Sequence, residues 1–234
     1  MIIPAILEKD FKSILKKVEL IKDVAKTIQI DVLDNTLINE KTFTDLNKLK
    51  NINPKIEIII HLMVDNPKKY IKKLSGSFIF NKGKLSNVSI LITQLINDGN
   101  KITEFLETAK KLGYKTGISI NADQDISLLK PFLDKTDAIQ FMGVTPGKQG
   151  NEFLPEVINK IVDFKNRYPG VETLIDGGIS EENFKLAVKT GVDKIVIGSS
   201  IFNSENPKQK FMEFSNLFEE ERKFEEERKT AHGE

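Results

Sequence analysis

Short runs of β-branched and other apolar residues recur along the chain, and segments with apolar residues three and four positions apart lie between them. The first pattern is typical of strands, and the second is typical of helices that cover one face of a sheet. Their alternation predicts βαβ units around a parallel sheet. Eight strands are predicted, at residues 2–6, 27–32, 56–62, 88–93, 115–120, 138–142, 172–176 and 194–197.

The connections between these strands are less regular. Six helices are predicted, at residues 11–21, 66–74, 101–112, 126–133, 154–167 and 182–190. The second crossover, 44–50, has only a weak helical pattern. Residues 75–87 are longer than a usual connection, and the apolar triplet 78–80 within them is an alternative fourth strand.

Eight such units can close into a barrel or lie open as a doubly wound sheet, and their spacing fits both. The unusual polar and Gly-rich residues come directly after strands, where barrel enzymes collect their chemistry. The sequence therefore predicts an α/β fold, a (β/α)₈ TIM barrel in a single domain over residues 1–218. Residues 219–234, with acid–base pairs four apart, predict a charged C-terminal helical tail. A solvated helix is the favoured interpretation of this tail, and a partner-binding extension is the alternative.

Composition narrows the classes of partner. The 35 Lys and Arg residues balance 34 Asp and Glu residues, so no charge pattern favours nucleic acid or an anionic membrane, and a small-molecule partner is expected. The chain has no Cys, which excludes a disulfide framework, a thiolate nucleophile and a Cys-ligated metal. No apolar run reaches the ~20 residues of a membrane helix and no signal-peptide pattern opens the chain, so a cytoplasmic protein is expected.

Glycine-rich loops follow the last three predicted strands. Paired glycines leave backbone N–H groups open to an anion, and the loops after strands seven and eight form the recurrent phosphate site of such barrels. A single glycine pair is more often an ordinary turn, but three consecutive loops predict phosphate binding. The predicted phosphate-binding residues are Gly147, Gly150, Gly177, Gly178, Gly198 and Ser199.

Polar residues interrupt the second and third strands. Gln29 and Asp31 alternate with apolar residues, so both point to one face of the second strand, with Asp31 near the top of the barrel. A buried carboxylate needs a metal, a proton or a charged partner, and a satisfied core residue is the structural alternative. His61 ends the third strand beside it, where a first-row metal could bridge the two side chains, although a lone His is more often structural.

Together these residues resemble the ribulose-phosphate 3-epimerase family, over nearly the whole chain up to about residue 202. The similarity lies in short motifs that follow the family's order and separations. They include HLMV with its following NP and YI, DGG after the seventh strand, and GSSIF after the eighth. The matching segments are 4–7, 29–35, 61–71, 142–153, 176–178 and 198–202.

The resemblance implies an isomerase of the pentose phosphate pathway that uses a divalent metal ion (Zn, Fe, Mn or Co). It implies that Asp31 and Asp176 are the catalytic acid and base, and that they and His61 hold the metal. The expected reaction is metal-assisted epimerisation at C3 of a ketose phosphate, first of all D-ribulose 5-phosphate to D-xylulose 5-phosphate. Two groups on opposite sides of the substrate suit proton removal from one face and return to the other. The implied substrate-binding residues are His61, Met63 and Met142.

The chain also departs from the family pattern. Gln29 replaces a metal-binding histidine, and an amide oxygen is a weaker ligand than imidazole. Other changes fall at Ala5, Asn35, Gln149 and residues 92–94. Two alternatives follow: an epimerase of a six-carbon ketose phosphate, and a homologue that binds a sugar phosphate without turnover, as a sensor or partner protein. Related decarboxylases and synthases use an Asp-x-Lys pair, which Leu33 argues against. Association into a homo-oligomer is left open.

Overall fold

Eight parallel strands close into a barrel in sequence order. The structure, a computed structural model, describes residues 1–75, 87–147 and 151–232, and the eight strands lie within these ranges. Closure occurs where β1 pairs with β8, with Ile3 opposite Val196. The predicted (β/α)₈ barrel is therefore confirmed. The strands are β1 (Ile2–Ile6), β2 (Thr27–Leu33), β3 (Glu57–Met63), β4 (Val88–Gln94), β5 (Lys115–Ile120), β6 (Ala138–Met142), β7 (Glu172–Asp176) and β8 (Lys194–Ile197).

Helices cover the outside of the barrel. Asp10 caps the first of them, accepting a hydrogen bond from the backbone N–H of Ser13 at 2.9 Å. The alternative fourth strand at 78–80 lies outside the described residues. The helices are α1 (Phe11–Ile21), α2 (Lys68–Ser75), α3 (Gly99–Lys111), α4 (Glu156–Arg167), α5 (Glu181–Lys189), α6 (Ser199–Phe202) and α7 (Pro207–His232).

Two crossovers carry 3₁₀ helices. The weakly patterned connection after β2 contains one at Leu46–Asn51. The connection after β5 contains another at Ile126–Lys135, so the prediction of an α-helix over 126–133 was wrong in type. Pro131 lies inside this segment, and proline has no N–H and clashes with the preceding turn of an α-helix.

The barrel interior is apolar in its middle and polar at the carboxyl ends of its strands. Inward residues alternate with residues that face the helices, as the period of a strand requires. The apolar interior cluster consists of Ile3, Ala5, Ile59, Ile90, Ile92, Ala138, Leu174 and Val196. Polar inward side chains from β2, β3, β4, β6 and β7 lie above or among them, which places the barrel's chemistry at its upper end.

Helix α7 packs on the barrel and then continues beyond it. Phe214 and Phe218 are buried, and the ring of Phe214 lies 5.0 Å from that of Phe184 on α5. Farther along the same helix, Phe224 is 55% exposed. The predicted boundary after residue 218 thus falls within one continuous helix and stays a prediction. No helix in the described ranges is long and apolar enough to cross a membrane.

Candidate active site

Three buried side chains from β2, β3 and β7 meet at the carboxyl end of the barrel. The strand register sets Asp31 directly beside His61, and Asp176 is the last residue of β7. One ligand-type atom from each of the three lies within 4.8 Å of the others. His61 is fully buried, and the two carboxylates are each 7% exposed. The fold therefore brings together the three side chains that the sequence analysis singled out, and the cluster is compatible with a divalent metal ion.

Gln29 lies between the two carboxylates. Its Nε2 donates to Asp31 Oδ1 at 2.8 Å and to Asp176 Oδ2 at 2.7 Å. Its Oε1 is buried and has no hydrogen-bond partner among the described residues. The amide that replaces the family's histidine therefore contacts both carboxylates of the cluster.

A second glutamine, which the sequence analysis did not single out, contacts the same groups. Gln140 is fully buried on β6. Its Nε2 lies 3.0 Å from His61 Nδ1 and donates to Asp176 Oδ2 at 2.9 Å. The alternation of β6 could have found it, because a lone amide in the strand AIQFM falls on the same face as Ala138 and Met142.

Gln94 fixes the orientation of the imidazole from the other side. Its Oε1 lies 3.3 Å from His61 Nε2, while its Nε2 donates to Asn121 Oδ1 at 2.8 Å. Because the amide nitrogen is used by Asn121, the oxygen faces the ring and favours a hydrogen on Nε2. The lone pair of Nδ1 is then directed towards the carboxylates, at 3.4 Å from Asp31 Oδ1 and 3.6 Å from Asp176 Oδ2.

The cluster attracts positive charge. Burial raises the pKa of the Asp176 carboxyl and the charge of Asp31 adds to this, while hydrogen bonds from His61 and Gln29 oppose it. Burial alone lowers the pKa of His61, but its contacts with Asp176 and Asp31 outweigh burial and raise the pKa to about 9. The Gln140 amide acts against that rise, because a donor nitrogen needs a lone pair on Nδ1. Two buried carboxylates thus favour a proton or a cation between them.

A cavity opens above the carboxylates. Asp31 and Asp176 line it, whereas His61 lies beneath and does not. Within the described part of the chain no Lys or Arg lines it. Gly150 lies outside the described residues. The other predicted phosphate- and substrate-binding residues that line the cavity are Met63, Met142, Gly147, Gly177, Gly178, Gly198 and Ser199.

The glycines after β7 have backbone conformations that other residues rarely adopt. Gly177 has φ of 99° and Gly178 has φ of 70°. A Cβ on Gly177 would approach Val144 Cγ2 to 2.5 Å, and one on Gly178 would approach the Cα of Phe153 to 2.9 Å. The loops after β6 and β7 therefore pack so closely that backbone, rather than side chains, forms this wall of the cavity.

Comparison with known proteins agrees with this arrangement. The description "Ribulose-phosphate 3 epimerase family" matches residues 1–202. The chain belongs to the ribulose-phosphate 3-epimerase family. Curated family members include the ribulose-phosphate 3-epimerase of Schizosaccharomyces pombe, 26% identical over 89% of each chain. The enzyme of Buchnera aphidicola is 31% identical over 80% of this chain and 82% of its own. The Escherichia coli enzyme is 27% identical over 89% and 92%.

Membership confirms the prediction of an isomerase of the epimerase type, and the names of the relatives support a sugar phosphate as the class of substrate. Solved structures show the same fold. The 3-hexulose-6-phosphate synthase of Salmonella typhimurium superimposes with a TM-score of 0.70 over 94% of this chain and 99% of that one, at 16% identity. The orotidine 5'-monophosphate decarboxylase of Sulfolobus solfataricus gives a TM-score of 0.63 over 94% and 98%, at 14% identity.

Proposed function

We propose that this epimerase interconverts D-ribulose 5-phosphate and D-xylulose 5-phosphate by acid–base catalysis at C3. The observation that carries the proposal is the pair of carboxylates, Asp31 and Asp176, that come from well-separated strands and line one cavity. Epimerisation beside a ketone needs a base at one face of the carbon and an acid at the other. Two carboxylates on separate strands meet that requirement.

The glycine wall supports the position of the phosphate. Gly177, Gly178, Gly198 and Ser199 lie along one side of the cavity, at the loops after β7 and β8 where barrels of this kind bind phosphate. With the phosphate there, the carbon chain extends over the carboxylates. One carboxylate then removes the C3 proton and the other protonates the opposite face. Met63 and Met142 supply apolar contact to the sugar carbons on the same floor.

The residues present fit a divalent cation. Asp31, His61 and Asp176 offer two carboxylate oxygens and the Nδ1 lone pair, a donor set suited to a first-row metal. Oε1 of Gln29 has no partner among the described residues, so this amide has an oxygen free to act as a fourth donor. When bound, such a cation would stabilise the negative charge that develops on the substrate's oxygens after proton removal. Gln94 would keep the imidazole in the orientation that directs Nδ1 to the cluster.

The test is conversion of ribulose 5-phosphate in a coupled assay, with protein purified without chelator. Asp31→Asn and Asp176→Asn each remove a proton-transfer group at constant size, so kcat should fall by about 10²–10⁴-fold. Asp137→Asn is the matched control, since Asp137 lies at the opposite end of the barrel and binds the backbone of Thr116. Its kcat should stay near that of the wild type.

Two outcomes would redirect the proposal. Tight binding of the sugar phosphate without conversion in any divalent metal would favour the non-catalytic homologue, for which the hydrogen bonds of Gln29 to both carboxylates speak. A higher kcat/KM for a six-carbon ketose phosphate would keep the chemistry and change the substrate. Neither result would alter the assignment of the family.

A further inference from the structure

Gln140 occupies the hydrogen-bonding positions that a cation would need. Its Nε2 lies 3.0 Å from His61 Nδ1, the nitrogen that faces the carboxylates. The other ring nitrogen faces Oε1 of Gln94 at 3.3 Å, so it is directed away from the cluster. Imidazole nitrogen has a single lone pair, and a lone pair that accepts a hydrogen bond cannot also coordinate a metal.

The same argument holds at Asp176. Its Oδ2 accepts from Gln29 at 2.7 Å and from Gln140 at 2.9 Å. A carboxylate oxygen has about two lone-pair sites, and these two amides fill both. A cation that binds this oxygen must therefore displace an amide hydrogen from it.

The rest of the Gln140 side chain lets it move. Its Oε1 is buried and has no hydrogen-bond partner among the described residues, so no bond at the oxygen opposes rotation of the amide. Its remaining nitrogen contact is with Met142 Sδ at 3.8 Å, and sulfur is a weak acceptor. The amide is thus held on one side only, by the two groups that a cation would take.

We propose that Gln140 is a positioning residue that competes with a divalent cation for Asp176 Oδ2 and His61 Nδ1. It holds both as acceptors in the cation-free protein and leaves them when a cation binds. The proposal rests on the metal site of the proposed function. It makes Gln140, together with Gln29, a determinant of how weakly this site binds metal.

The test compares the Kd for Zn²⁺ and for Co²⁺ of the wild type and Gln140→Met, by titration calorimetry with a competing chelator and without substrate. Methionine keeps the length of the side chain and removes the donor. Loss of one charge-assisted hydrogen bond should lower Kd about tenfold. The absorption spectrum of the Co²⁺ form should stay that of the wild type, because Gln140 is not a ligand.

Ser119→Ala is the matched control. Ser119 is buried on the adjacent strand β5, and its Oγ has no partner in the described ranges. Its Kd should equal that of the wild type. An unchanged or higher Kd in Gln140→Met overturns the inference, and the higher value would make Gln140 itself a ligand through Oε1. Absence of cation binding to both proteins overturns it as well.

A second measurement serves if the variant does not fold. In ¹⁵N-labelled wild type, the side-chain NH₂ of Gln140 should lose its hydrogen bonds, and its signals should shift, as Zn²⁺ saturates the site. Signals that stay unchanged at saturation contradict the proposal. These readouts use no turnover, so a wild type that binds Zn²⁺ but converts no ribulose 5-phosphate would defeat the proposed function and leave this comparison intact.

Discussion

Gln29 lies within hydrogen-bond distance of both carboxylates, and its substitution tests the ligand set at the scale of a single residue. Gln29→His replaces an amide with an imidazole, the better ligand for zinc, and removes a donor that competes for Asp31 and Asp176. We expect the Kd for Zn²⁺ to fall about tenfold or more, equivalent to about 1.4 kcal/mol. Chelator competition measures the Kd, and the coupled assay measures whether the rate rises with it.

Gln124→His is the control for that prediction. Gln124 is another glutamine near the carboxyl ends of the strands, where its amide contacts Leu95 and Asn121 rather than the carboxylates. A histidine there should leave zinc affinity unchanged. Equal affinities for Gln29→His and the wild type would mean that position 29 does not belong to the ligand set.

The sequence identified part of this cluster and missed part of it, for a physical reason. Asp31, His61 and Asp176 carry chemistry that is unusual at a strand's end, so each stands out without knowledge of its neighbours. An amide such as Gln140 acquires a role only from what it touches. Its contacts with β3 and β7 depend on the closed order of the barrel, and His61 lies 79 positions away in the chain.

At the scale of the element, strands were predicted more accurately than their connections. Each predicted strand boundary lies within one residue of the observed one, because inward and outward faces are both buried and apolar runs end sharply. Connections depend on local breakers. Pro131 converts a helical pattern into a 3₁₀ helix, and Pro155 shifts the beginning of α4 to Glu156, two residues after the predicted 154.

Asp193 ties neighbouring elements together at the lower end of the barrel. Its Oδ2 accepts from the backbone N–H of Thr173 at 2.8 Å, from the Thr173 hydroxyl at 2.7 Å and from Lys165 Nζ at 3.1 Å. Burial alone raises the pKa of Asp193, but these bonds outweigh burial and lower the pKa below its ordinary value of 3.8. The carboxylate therefore contributes stability above that value, and the contribution is lost as pH falls through the lowered pKa.

Asp193→Asn should lower the free energy of unfolding by about 1 kcal/mol at pH 7, a figure kept small because the side chain is about a third exposed. The difference from the wild type should shrink between pH 4 and pH 3, where the wild-type carboxylate is protonated. Urea unfolding at each pH measures it. Asp123→Asn, an exposed acid, is the control and should match the wild type throughout. A difference that is constant with pH would assign the effect to geometry rather than to charge.

At the scale of the whole molecule, α7 has two parts with different roles. Phe214 is 1% exposed and packs on Phe184, so Phe214→Ala creates a cavity and should cost about 3–5 kcal/mol. Met212, on the same helix and 46% exposed, supplies the control, since Met212→Ala should cost less than about 1 kcal/mol. Chemical unfolding of the two variants compares these values.

Removal of residues 219–234 tests the other part. Within the described residues the main link lost is the ion pair between Lys185 and Glu221, 2.6 Å long and at the surface, and such pairs contribute about 0–1 kcal/mol. The melting temperature should therefore fall by no more than about 4 °C, and conversion of ribulose 5-phosphate should be retained. A truncated chain that fails to fold would place the tail within the barrel domain, and the boundary after residue 218 would be wrong. A tail that is dispensable for both properties would leave its exposed Phe224 and paired charges to another role, as in the partner-binding interpretation of this segment.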